Sequence, residues 1–289
     1  ETTGAITLST ADGALSGSAA NLVSAFAGTV TTHTGTVTIT DAPTLAQLVT
    51  INAETTGAIT LNDASANYSG SAANLVSAFA GTVTTHTGTV TVTDALSVTN
   101  ANTINAATSG VITASITDDA TDLATLAGTG NNYTITFSND DAASLAELVS
   151  INAATTGALT LNALTIAANL SGNSADLTSA FAGTVTTHTG TVTLTDDPTV
   201  AQLVAINAAT TGAITLQSAD GALSGSAANL VLAFAGTVTE HTGTVTITDA
   251  PTVAQLVTIN AETTGAITLS TADGALSGSA ANLVLAFAG

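Results

Sequence analysis

The 289-residue chain carries 20 carboxylates, four histidines and no lysine or arginine, giving a formal net charge of −20. Without a basic side chain it has no counterion-releasing partner for a nucleic-acid backbone, no arginine clamp for phosphates and no Schiff-base lysine, and anionic membrane surfaces are disfavoured. Hydrophobic residues reach 45%, enough to build a core and too many for an acidic disordered tail, while cysteine is absent.

No apolar run nears the roughly 20 residues of a bilayer-spanning helix, so membrane insertion is not expected. The chain opens at Glu1-Thr2-Thr3, with no initiating Met and no signal peptide, and reads as an internal piece of a longer or processed polypeptide.

Self-similarity dominates the sequence. The glycine of a Thr-Gly-Ala-Ile-Thr-like motif recurs at Gly4, Gly57, Gly110, Gly157, Gly212 and Gly265, in steps of 53, 53, 47, 55 and 53 residues. Residues 262–289 repeat residues 1–28 with one difference, Leu285 standing where Ser24 stood. The chain is therefore read as one continuous array over 1–289, five repeats and part of a sixth.

Each repeat holds two strand-plus-helix halves. In the first, Gly4 to Leu8 alternates apolar and small or polar residues, the period-2 mark of a strand with one buried face. A turn rich in Asp, Gly and Ser follows. Residues 18–27 then read as a short helix with Leu22 and Phe26 on one face, Ser18 as its N-cap and Gly28 as its stop.

The second half begins at Gly35. Thr36-Val37-Thr38-Ile39-Thr40 predicts a strand with valine and isoleucine on one face and threonine on the other. Asp41 or Thr44 can cap the next helix, whose first turn tolerates Pro43 and whose apolar residues run through Leu45, Leu48 and Ile51. The steps Gly35–Gly57, Gly88–Gly110, Gly190–Gly212 and Gly243–Gly265 are identical in length, whereas the first half absorbs insertions and deletions. Residues 94–152 depart most from the pattern.

Strand, helix and strand in endless alternation imply parallel strands joined by right-handed crossovers. The expected fold is an α/β repeat: a single-layer right-handed β/α solenoid, leucine-rich-repeat-like in plan. Its helices would cover the Val/Ile/Leu face and leave the threonines open. A β-helix with short helical turns and a doubly wound globular domain are the competing architectures.

Candidate chemistry is sparse. His33, His86, His188 and His241 all lie in a Thr/Glu-His-Thr-Gly motif and read as duplicated turn residues, with a metal or pH-responsive role as the sharper alternative. Asp41, Asp94, Asp196 and Asp249 recur at strand-to-helix junctions and read as caps. Asp118, Asp119, Asp122, Asp140 and Asp141 form the densest acidic group and are the candidate calcium ligands, although no EF-hand loop is present. No nucleophile constellation stands out and no enzyme is expected. The threonine rows resemble the flat ice-binding faces of small β-solenoid antifreeze proteins.

Blocks such as Ser18-Ala-Ala-Asn-Leu22 and Thr40-Asp-Ala-Pro-Thr-Leu-Ala-Gln-Leu48, followed by Thr-Gly, make the chain similar to very large repetitive bacterial surface proteins, cyanobacterial-type, adhesin-like or surface-layer-like. The resemblance implies an extracellular, often calcium-associated structural role. The expected function is a filament, sheath or surface layer built by self-association, with an adhesin stalk or an ice- or crystal-binding module as the alternative.

Overall fold

The structure, a computed structural model, describes residues 4–28, 30–138, 141–271 and 274–288; Glu1-Thr2-Thr3 and Asp140 lie outside that range. Two compact units result, one of Glu1–Asp118, Thr125–Thr136 and Ala154–Ala158, the other of Asp119–Ala124, Phe137–Ala153 and Leu159–Gly289.

In the first unit the described elements run β1 (Leu15–Gly17), α1 (Ala19–Ala25), β2 (Val37–Ile39), α2 (Leu45–Glu54), β3 (Ile59–Leu61), β4 (Tyr68–Gly70), α3 (Ala72–Ala78), β5 (Val90–Ala95), α4 (Val98–Ala107), β6 (Ile112–Asp118) and, but for its last residue, β7 (Asn132–Phe137). The strands β1, β2 and β3 form one parallel sheet with Leu15 opposite Val37 and Val37 opposite Ile59. A second sheet places β4, β5, β6 and β7 side by side, with Tyr68 opposite Val90 and Val90 opposite Ile112. Val37 and Ile59, like Val90 and Ile112, stand as far apart in the chain as Gly35 and Gly57, so the constant glycine step of the sequence is the step from strand to neighbouring strand.

The second unit holds α5 (Ala120–Leu123), α6 (Leu145–Ala154, its last residue excepted), β8 (Leu159–Thr160), α7 (Ala163–Ala167), β9 (Leu170–Gly172), α8 (Ser174–Ala180), β10 (Val192–Leu194), α9 (Val200–Ala209), β11 (Ile214–Leu216), β12 (Leu223–Gly225), α10 (Ala227–Ala233), β13 (Val245–Ile247), α11 (Val253–Ala261), β14 (Ile267–Leu269) and α12 (Ala280–Ala286). Its parallel sheets run β9-β10-β11 and β12-β13-β14. The chain is thus α/β, with parallel strands in several small sheets alternating with helices and no closed barrel among the described residues.

Alternation explains the strands. Val37 and Ile39 are fully buried while Thr38 between them is half-buried, and Val192, Leu194, Val245 and Ile247 repeat that burial. The helices start where hydroxyls and amides can cap them. Ser18 accepts from the Asn21 amide, and Thr44 with Gln47 closes a reciprocal capping box repeated at Thr199–Gln202 and Thr252–Gln255. Gly28, with φ of +90°, ends the first short helix as read from the sequence.

Two details differ from the sequence reading. The Gly4–Leu8 segment makes a single parallel bridge, Ile6 to Val30, and the Asp/Gly/Ser turn after it contains the short strand Leu15–Gly17. A Leu-Ser-Gly tripeptide has little strand preference of its own; pairing with Val37–Ile39 imposes the conformation. In the irregular middle segment the strands lengthen to six or seven residues and α5 shrinks to four.

Candidate functional site

The histidines are not surface turn residues. His33, His86, His188 and His241 are at most 2% exposed. Each Nε2 lies 2.6–2.9 Å from a backbone carbonyl 20 residues earlier, of Gly13, Ala66, Ala168 and Gly221 respectively. A carbonyl only accepts, so Nε2 carries the proton and donates. Each Nδ1 then faces the hydroxyl of a threonine 22 residues later (Thr55, Thr108, Thr210 or Thr263) at 3.0–3.4 Å. That Oγ1 also accepts an N–H from the glycine two residues on, as Gly57 does to Thr55 and Gly212 to Thr210. One imidazole therefore ties together three successive passes of the chain.

Each ring sits beside a phenylalanine of the preceding helix end, with centroids 5.4–6.1 Å apart, and His86 also stacks on Tyr68 at 4.7 Å. Burial pushes the His86 and His188 imidazoles below their ordinary value, partly offset by the carbonyl each donates to. Each ring is tied on both sides to another pass of the chain, and for His86 and His188 burial favours the neutral form of that brace. Asn131 takes the place of a histidine in the middle segment. It is buried, its Oδ1 accepts the Ile112 N–H, and its Nδ2 donates to Asn105.

The glycine pairs mark the closest approach between passes. A Cβ on Gly57 would collide with the carbonyl oxygen of Gly35, and one on Gly110, Gly212 or Gly265 with that of Gly88, Gly190 or Gly243. The constant glycine spacing is the period of this contact.

The junction aspartates cap helices, but not the ones that follow them. Asp41 Oδ1 accepts the Ala19 N–H at 2.7 Å, at the start of α1, 22 residues back. Asp94 does the same for Ala72, Asp196 for Ser174 and Asp249 for Ala227. Thr44 already caps α2, which frees Asp41 to reach the neighbouring pass. Asparagines supply the matching device at the other helix end. Asn52 Nδ2 donates to the carbonyls of Ser77, Ala78 and Ala80, and Asn152, Asn207 and Asn260 repeat the arrangement. Sequence reading missed these asparagines; the recurring Ile-Asn dipeptide at 51–52, 151–152, 206–207 and 259–260 was the available signal.

Of the candidate calcium ligands, Asp118, Asp119 and Asp122 come together where β6 ends and α5 starts, with carboxylate oxygens within 4.8 Å of one another. Asp119 is also the N-cap of α5, its Oδ1 accepting the Asp122 N–H at 2.8 Å. Asp141 is not in that group. Its carbonyl accepts from Asn162 Nδ2 at 2.7 Å, and its Oδ1 is buried without a hydrogen-bond partner. Asp140 lies outside the described residues.

The threonine face is in register. Ser16, Thr38 and Thr60 are opposite one another across β1, β2 and β3, and the rows Ser69–Thr91–Thr113, Ser171–Thr193–Thr215 and Ser224–Thr246–Thr268 repeat the pattern. No helix among the described residues is long and apolar enough to cross a membrane. No protein-family model, curated protein or solved structure matches the chain.

Proposed function

We propose that the chain is a structural protein of the cell exterior. Its passes stack as a right-handed, single-layer β/α solenoid, and copies assemble into a filament, sheath or surface layer. The observation that supports this reading best is where the recurring polar side chains point. His33, Thr55, Asp41 and Asn52, with their repeats, each bond the backbone of a pass 20 to 30 residues away. Side chains committed in this way hold neighbouring passes in register, the requirement of a stiff scaffold rather than of a catalyst. On this reading the chain catalyses nothing, and its principal partner is itself. A hard cation such as calcium at Asp118, Asp119 and Asp122 would then act as a counter-ion within an otherwise uncompensated acidic surface. Negative-stain microscopy of the purified full chain tests the assembly: elongated, unbranched particles are expected, and dispersed monomers at every concentration would overturn it.

The registered Ser/Thr rows favour a second reading, an ice- or crystal-binding face. Parallel strands space these hydroxyls about 4.8 Å apart, a regular lattice of donors and acceptors. Thermal hysteresis in a solution of the protein is the outcome this reading requires.

A further inference from the structure

His86 and His188 each meet a threonine hydroxyl that has one proton and two acceptors within reach. Thr108 Oγ1 lies 3.0 Å from His86 Nδ1 and 3.1 Å from the His86 carbonyl oxygen. Thr210 Oγ1 lies 3.4 Å and 3.1 Å from the same two atoms of His188. The hydroxyl oxygen also accepts an N–H, from Gly110 or Gly212. Each histidine carbonyl has a second donor of its own, the Ser109 amide at 2.8 Å on His86 and the Thr211 amide at 2.9 Å on His188. That carbonyl is therefore satisfied whichever way the hydroxyl turns.

Counting donors and acceptors gives two complete arrangements. In the neutral ring Nε2–H donates to the carbonyl of Ala66 or Ala168, and the threonine O–H donates to the lone pair of Nδ1. In the charged ring Nδ1 carries a proton and donates to Oγ1, whose own proton turns to the histidine carbonyl. The oxygen then accepts twice and donates once, which is the full capacity of a hydroxyl. Neither arrangement leaves a polar atom of the pair without a partner, and the passage between them moves hydrogens alone.

We propose that the His86–Thr108 and His188–Thr210 pairs are proton-binding sites built into the fold, each taking one proton from solvent by turning a single hydroxyl and keeping its neighbouring passes in register. The proposal concerns the single chain and is independent of the assembly reading above. Asn131, which takes the place of a histidine in the middle segment, has no proton to gain, so the device is missing there.

The surroundings leave the hydroxyl and the carbonyls to stabilise the charge. Around His86 stand Tyr68 of β4, Phe79 at the end of α3, Ala66 and Thr108; around His188 stand Phe181 at the end of α8, Ala168 and Thr210. Tyr68 is the one titratable side chain in ring contact with either histidine among the described residues. Burial, and to a lesser degree the Asp63 carboxylate, pushes its phenol up to about 12, so it stays neutral throughout. No carboxylate bonds either ring among the described residues. Burial opposes the charge and places uptake below the ordinary imidazole value, while the ready acceptor on Nδ1 keeps uptake within reach of the folded chain.

Nitrogen-15 NMR of the imidazoles in the full chain, titrated downward from neutral pH, reads the sites directly. Above the midpoint both rings should be Nε2–H tautomers. Below it an Nδ1–H signal protected from solvent exchange should appear on each, while the Ser109 and Thr211 amides keep their protection. Thr210→Val removes the hydroxyl at nearly constant shape. The charged ring then loses a bond roughly twice as strong as the one the neutral ring loses, so the His188 midpoint should fall by about one unit, a tenfold loss of proton affinity. His86 should not move, and Thr210→Ser should restore the wild-type value. A His188 midpoint unchanged or raised in Thr210→Val overturns the proposal. So do wild-type rings that gain the proton only as the Ser109 and Thr211 amides lose protection, a result that decides the matter even where Thr210→Val fails to fold.

Discussion

Gly57 stands where a Cβ has no room, and His86 and His188 stand where burial disfavours a charge. A methyl group at Gly57 has to enter the space held by the Gly35 carbonyl, and backbone on both sides leaves little room to yield. Gly57→Ala should cost about 3 kcal/mol, read as a drop in the urea midpoint, with Gly13→Ala, whose Cβ meets nothing closer than 3.9 Å, as the tolerant control. The buried imidazoles set a pH dependence. His86 and His188 titrate below the ordinary value of 6.5 when folded, because burial disfavours the charged ring. The unfolded chain therefore takes up protons first on acidification. Their contribution is complete above about pH 6.5 and is lost as pH falls through the depressed folded values. Thermal midpoints measured from pH 8 down to 5 should fall through the lower part of that range; a rise there would contradict the neutral-brace assignment. The sequence marked these histidines as recurrent, but a Thr-His-Thr-Gly string looks like a turn until its partners on the passes before and after it are known.

Helices and strands were legible where the signal is local. The Thr36–Thr40 alternation, the Ser18 cap and the Gly28 stop all follow from spacing between near neighbours in the chain, and the structure has β2, the α1 cap and the positive φ at those places. Contacts between elements were not legible in this way. Asp41 looks like a cap for the helix that follows it, and only the competing capping box of Thr44 and Gln47 betrays that its carboxylate is free for the helix before. The same geometry makes a prediction about which helix suffers. Asp94→Ala should cost about 1 kcal/mol and speed hydrogen exchange at Ala72 to Leu75 of α3, while the first turn of α4, capped by Ser97, keeps its protection. Faster exchange in α4 instead would refute the backward cap. The three-residue strands β1, β4, β9 and β12 escaped the sequence reading for a related reason: Leu-Ser-Gly and Tyr-Ser-Gly owe their conformation to the strand beside them.

Across the whole molecule, charge is the unbalanced term. Twenty carboxylates face no lysine or arginine, so folding brings like charges closer. Raising sodium chloride from about 0.02 to about 0.5 M should raise the melting temperature, since screening weakens repulsion and there is no basic side chain for an ion pair to lose. A melting temperature that falls with salt would rule this out. If a hard cation occupies Asp118, Asp119 and Asp122, calcium should raise the melting temperature beyond the effect of sodium chloride at equal ionic strength, and EDTA should reverse the gain. An EDTA-insensitive melt and no retained calcium would remove the cation from the account.

The one-pass reach of the His, Asp and Gly contacts also bears on how such a gene can change length. Because every brace joins one pass to the next, a recombination event that gains or loses a full repeat, the stretch from Gly4 to Gly57 for example, re-creates each junction with its proper partners. A crossover that leaves half a block places a histidine where no carbonyl waits for it. Growth in whole blocks is therefore structurally silent, and length becomes the property such a chain can vary most freely.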